Sequence, residues 1–225
     1  MRVSGKRDQR IAAIAELQRG RVARRQLLAA GVSRNMIHTM LHTGPLVARH
    51  RGVYAFGHAA PGELTRETEA LLAIRVPAFL RAGFSLALWS LAPPPHPSEP
   101  VEITLLAAHA IWHPGIRAHR SSTLDAPDTG IHRGLPTTSP ARDLVDVAGT
   151  TSEFRLERML DDALHRNLVR LSQLRDALDR AGPTHKGVGI LRAILADRAH
   201  SSGTSRSKEP FAVIATIAGA LARAG

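Results

Sequence analysis

Between Arg24 and His42 an apolar-faced segment breaks at Gly31 and restarts at Ser33, and few folds accommodate that order. Residues 24–30 read as a short helix with Leu27 and Leu28 turned inward. Gly31 ends it in a left-handed conformation, and Val32 packs back beneath it. Ser33 then caps a further helix running to about residue 42, because its hydroxyl can accept a free backbone N–H. Met36, Ile37, Met40 and Leu41 form the inner face of that helix. Arg34, Asn35, His38, Thr39 and His42 stay outside. Upstream, residues 7–17 read as a first helix with Ile11, Ile14, Ala15 and Leu17 on one face, stopped by Gly20. Val22 and Ala23 follow as a short connection. Downstream, residues 46–49 and 53–56 read as two short β segments flanking the basic turn His50-Arg51-Gly52. Short helix, glycine turn and Ser-capped helix, followed by a hairpin, is the order of a winged helix-turn-helix.

Charge distribution points the same way. The chain carries a net charge of +11. Residues 1–58 hold eleven Lys/Arg and two acids, whereas residues 150–200 hold nine and seven. A segment with such a local excess of cations suits an anionic polymer, and double-stranded DNA is the expected partner. In a helix-turn-helix the second helix of the motif enters the major groove by its N-terminal residues. Ser33, Arg34, Asn35, His38 and Thr39 are therefore the candidate base readers, since Arg can bond guanine and Asn adenine in two places each. Arg49, His50 and Arg51 on the wing are candidates for phosphate or minor-groove contact. Arg24 and Arg25, opening the second helix, complete the DNA-binding set.

The rest of the chain reads as a mixed α+β domain over residues 59–200, so the expected fold class is α+β with the winged helix-turn-helix at residues 1–58. Helices are expected over 64–80, with Leu71, Leu72, Ile74 and Val76 apolar, and over 84–91. A Pro-rich loop spans 91–100. Strands are expected over 101–106, 115–120 and 135–138. Thr138 or Ser139 caps a helix that has Pro140 at its first position and runs to about 148. Further helices cover 154–166 and 171–180, and a last one follows Gly187-Val188-Gly189 to about 199. Residues 201–225 read as a Ser-rich linker and a stray helix over 212–224.

Several classes are disfavoured. No run of eighteen apolar residues suggests a membrane span, and the polar, basic start does not resemble a secretory signal. Without cysteine there are neither disulfides nor thiolate metal sites, and a cytoplasmic location is expected. Catalytic signatures are missing: there is no Gly-rich phosphate loop and no Gly-x-Ser-x-Gly elbow, and Gly187-Val188-Gly189 lacks a preceding strand. Asp143 and Asp146 beside Arg142 read as helix N-terminal acids with a paired arginine. Asp161 and Asp162 read as a solvated helix face. His38/His42 and His109/His113 are four apart but lack the further ligands that zinc requires. Trp89 and Trp112 are expected to anchor the core. The expectation is a non-enzymatic protein with no cofactor and no metal.

Two stretches carry a family resemblance. Ala29-Ala30-Gly31-Val32-Ser33 with Leu46-Val47-Ala48-Arg49-His50-Arg51-Gly52-Val53-Tyr54-Ala55, and later Gly134-Leu135-Pro136-Thr137-Thr138-Ser139-Pro140-Ala141-Arg142-Asp143-Leu144-Val145-Asp146-Val147-Ala148, resemble AbiEi-type antitoxins of type IV toxin–antitoxin systems, in an actinobacterial form. The resemblance runs from about residue 8 to 199. It implies a repressor that binds an inverted repeat near its own promoter and has a functional link to a nucleotidyltransferase-like toxin. The sequence departs from the pattern twice. Arg81 and Ala82 stand where many relatives have Ser-His. Thr204-Ser205-Arg206-Ser207-Lys208-Glu209 only loosely echoes the segment that leads, in many relatives, into a Vsr-like endonuclease-type domain. The alternative that this echo raises is a metal-dependent DNA nuclease or its truncated remnant, which would need several carboxylates on a sheet.

Overall fold

The computed structural model describes residues 3–57, 60–106 and 112–206. Among them, nine α-helices, one 3-10 turn and eight strands in two sheets make a mixed α+β fold.

The N-terminal elements are α1 (Val3–Leu17), β1 (Arg21–Ala23), α2 (Arg24–Ala29), α3 (Arg34–Thr43), β2 (Leu46–His50) and β3 (Val53–Phe56). The strands form one antiparallel sheet in the order β1-β3-β2. Local chemistry sets each boundary. Gln26 accepts the Ala23 N–H through its side-chain oxygen at 2.8 Å, closing the first turn of α2. Gly31 has φ +89°, and the Ser33 hydroxyl accepts the Met36 N–H at 3.2 Å to start α3. Ile11, Val22, Leu27, Val32, Ile37 and Leu46 are nearly or fully buried and share one apolar cluster. Burying each such side chain contributes about 1.5–3 kcal/mol.

Three details differ from the sequence expectation. Residues 21–23 are a strand rather than a connection. Leu17, expected inside, is 84% exposed at the end of α1, and Leu28 is 41% exposed. The core of this unit is small, and one leucine from the short helix α2 fills its share.

The remainder begins with α4 (Thr65–Ala73), β4 (Ala78–Leu80) and α5 (Ala82–Leu88). The helix expected over 64–80 is thus a helix followed by a strand. Pro77 explains the break: it offers no N–H and disfavours a helical residue before it. Ile74 is already extended at ψ 138°. After β5 (Val101–Leu105) and β6 (Ile116–Arg120), a 3-10 turn at Ala126–Asp128 leads into β7 (Thr129–His132), which sequence reading missed, and β8 (Leu135–Thr138). The second sheet runs β6-β5-β4-β8-β7, with β5/β6 and β4/β8 parallel and the other pairs antiparallel.

Helices α6 (Pro140–Val147), α7 (Glu153–His165), α8 (Leu171–Ala181) and α9 (Val188–Arg206) follow. The Ser139 hydroxyl caps α6 by accepting the Arg142 N–H. The last helix continues to Arg206, beyond the point where a Ser-rich linker was expected. The stray helix expected over 212–224 lies outside the described residues.

Two apolar clusters divide this part. One joins α5 to α6, α7, α8 and α9. The other joins α4 and α5 to one face of the second sheet through Leu80, Ile103, Leu105 and Leu135. Trp89 stacks on His132 at 3.8 Å, whereas Trp112 is 86% exposed and anchors no core.

Candidate nucleic-acid interface

The candidate side chains fall into two groups. Ser33, Arg34, Asn35, His38 and Thr39 lie on the exposed side of the first two turns of α3. Ile37, wholly buried one turn in, fixes which side faces out. Arg34 and Asn35 have no side-chain partner among the described residues. The Thr39 hydroxyl donates to the Asn35 carbonyl at 3.1 Å, and the His38 ring lies tilted against His42 with centroids 4.2 Å apart. No carboxylate interrupts this face. Arg51, exposed at the β2–β3 turn, is also unpartnered.

The second group is turned toward the rest of the molecule. Arg49 is the extra residue of a β-bulge: Ala48 pairs with Tyr54, and His50 pairs with Val53. A bulge re-aims the side chain it carries. Arg49 here donates to Glu69 of α4 at 2.9 Å. Glu69, 4% exposed, also accepts from Arg21 at 2.7 Å, and His50 stands 4.0 Å away. Arg25 donates to the Leu72 carbonyl at 2.8 Å, and Arg19 donates to the Arg133 carbonyl at 2.5 Å. Much of the N-terminal basic charge therefore docks this unit onto α4 and the β7–β8 turn. Sequence reading missed Glu69 because it looks like an ordinary acid on a polar helix.

Burial lowers the His50 pKa, and the His113 ring beside it adds to the effect against the pull of Glu69. Arg24 donates to the Tyr54 hydroxyl at 3.3 Å. Arg24 and Tyr54 join Arg51, Arg75 and His113 around an open cleft of about 590 Å³ that no carboxylate lines.

The acids weighed for catalysis have structural partners. Asp146 accepts from Arg142 and Arg81, both at 2.9 Å, and faces His185 at 3.2 Å. Asp143 is wholly buried, accepting the Ala82 N–H and the Thr138 hydroxyl. Desolvation pushes its pKa up to about 8, against hydrogen bonds that lower it. Asp161 and Asp162 pair on the surface with Arg198 and Arg166. Among the described residues no three His, Cys, Asp or Glu side chains gather as a metal ion would require, and His109 lies outside them. No described helix is long and apolar enough to cross a membrane.

No family model matches this chain, and no curated protein does. Among solved structures, the RV2827C protein from Mycobacterium tuberculosis aligns over 83% of this chain and 80% of its own, at 19% identity and a TM-score of 0.42. A likeness that slight carries no argument about function.

Proposed function

We propose that residues 3–57 work as a winged helix-turn-helix and that the protein is a sequence-specific DNA-binding transcriptional repressor, acting as an antitoxin. One observation supports this most. The N-terminal turns of α3 hold Arg34 and Asn35 exposed and uncommitted, on a face with no acid, in an element order that ends in a β-hairpin with a free arginine at its turn. Arg34 and Asn35 would read bases in the major groove, with Ser33, His38 and Thr39 alongside. Arg51 would hold a phosphate, and the cation-lined cleft beside it would favour the backbone that follows. Arg25, Arg49 and His50 are assigned instead to holding the unit in place, while Arg24 lines that cleft. The antitoxin role rests on the family resemblance, which brings with it an inverted repeat near the gene's own promoter and a nucleotidyltransferase-like toxin, met in the cytoplasm.

The deciding experiment is a titration of the chain's own upstream DNA against a scrambled duplex at two salt concentrations. Tight binding to the upstream duplex alone, weakening with salt, is the expected result. Arg34→Ala should narrow the difference between the duplexes by about 1–3 kcal/mol. Arg51→Ala should weaken both alike and reduce the salt slope by about one unit. Equal affinity for the two duplexes in the unaltered protein would defeat the reading.

A further inference from the structure

Where β5 and β6 pair, the second sheet is apolar on one face and polar on the other. Along β5 and β6 the side chains alternate. Val101, Ile103, Leu105 and Ile116 enter the cluster beneath α4 and α5. Glu102, Thr104, Arg117 and His119 fall on the opposite side, with Thr104 registered against His119. A sheet face turned toward helices is ordinarily filled with aliphatic side chains. Here a cavity of about 280 Å³ lies between this polar face, α6, the end of α8 and the loop after β6.

Its lining carries three arginines and two histidines against one carboxylate, Asp146. That carboxylate is already shared by Arg81, Arg142 and His185. Arg142 is fully engaged, donating also to the Thr123 carbonyl and hydroxyl. Arg81 is not: it gives one bond to Asp146, and its Nε is buried with no acceptor. Thr104 is 3% exposed, lines the cavity, and its hydroxyl makes no hydrogen bond to any described residue. His119 Nε2 is likewise buried without a hydrogen-bond partner, 3.6 Å from Glu102. An unpaired buried donor is costly, so the Arg81 Nε leaves this wall short of an acceptor, and the Thr104 hydroxyl is free to take part.

We propose that this cavity binds a small phosphate-bearing anion, either inorganic phosphate or a phosphate monoester. The ligand would supply oxygen acceptors to Arg81, Thr104 and the hydroxyls of the loop after β6, and negative charge to a lining of three arginines and one carboxylate. Guanidinium–phosphate pairing is directional and charge-assisted, which suits a preformed arginine held by a carboxylate behind it. The cavity accommodates a phosphate with a modest organic group attached. The proposal is independent of whether residues 3–57 bind DNA.

Calorimetric titration of the full chain with inorganic phosphate, and separately with adenosine monophosphate, tests it against sodium chloride at matched ionic strength. Saturable binding of phosphate or of the monophosphate, absent with chloride, is the expected result. Tighter binding of the monophosphate would identify an ester ligand, and equal binding would identify the free ion. Thr104→Val keeps the shape of a side chain that makes no hydrogen bond, so the fold should survive. It should weaken binding roughly tenfold, as should Arg81→Met, while Arg34→Ala should leave binding unchanged. No saturable heat with either anion, or equal binding by the Thr104→Val and unaltered chains, would overturn the proposal.

Discussion

Asp143 and Glu69 are both buried acids, and opposite surroundings give them opposite roles. Among the described residues no cation contacts Asp143; a hydroxyl and an amide do, and burial holds its proton up to about pH 8. Free aspartate ionises near 3.8. Between those values the folded chain keeps a proton that the unfolded chain has lost. Stability on account of this residue therefore falls as pH rises through that window and levels off above about 8. Asp143→Asn, neutral throughout, should gain on the unaltered protein as urea midpoints are compared from about pH 5 to about pH 9. A difference that stays constant with pH would show that Asp143 is ionised in the fold. Glu69, by contrast, is ringed by Arg21, Arg49 and His50. Glu69→Ala leaves Arg21 buried and unpaired, and should cost about 3–5 kcal/mol in denaturant unfolding. Glu69→Gln keeps an acceptor and should cost less.

At the scale of elements, α6 and the start of α9 are joined by a contact that only glycine permits. A Cβ on Gly187 would overlap the Val145 carbonyl oxygen and lie 2.8 Å from the Ala148 Cβ. The end of α6 and the entry to α9 touch there backbone to backbone. Gly187→Ala should destabilise the protein by about 1–3 kcal/mol, read from its thermal midpoint, by prising α9 off α6. Gly189→Ala, with open space around its added methyl, is the control and should be close to neutral. Gly187 is thereby explained by helix packing, and Gly189 is not.

For the whole molecule, the seam that joins the N-terminal unit to α4 and the β7–β8 turn is polar. It consists of arginines on a carboxylate and on backbone carbonyls, while the apolar clusters on either side remain separate. Removing α4 altogether would let Arg21 and Arg49 meet water, and the cluster around Ile11, Leu27 and Ile37 would stay whole. A fragment of residues 1–58 should therefore still unfold cooperatively by circular dichroism, at a lower midpoint than the full chain because so small a unit buries little surface. A featureless melt would mean that the seam supplies stability the apolar cluster lacks. The same seam limits DNA affinity in the proposed reading, since Arg19, Arg21, Arg25 and Arg49 are committed within the molecule and cannot each be counted toward phosphate.

Where information is local, the sequence alone determined the structure. Gly31 and Ser33 place the break and restart of the α2–α3 turn because a left-handed residue and a hydroxyl cap act within four positions. Ser139-Pro140 begins α6 for the same reason. Alternation gave β5, and helical spacing gave α7 and α8. Tertiary structure decided what depends on partners far along the chain. Residues 78–80 became a central strand because β5 and β8 flank them, and β7 formed because β8 offered an edge. Arg49 turns from the hairpin to Glu69 through a bulge that no local pattern announces. Net charge counts cations wherever they point. Which of them remain available to a partner is settled by the buried carboxylate of Glu69, twenty positions from Arg49 and forty-eight from Arg21, and by the Arg133 carbonyl, 114 positions from Arg19.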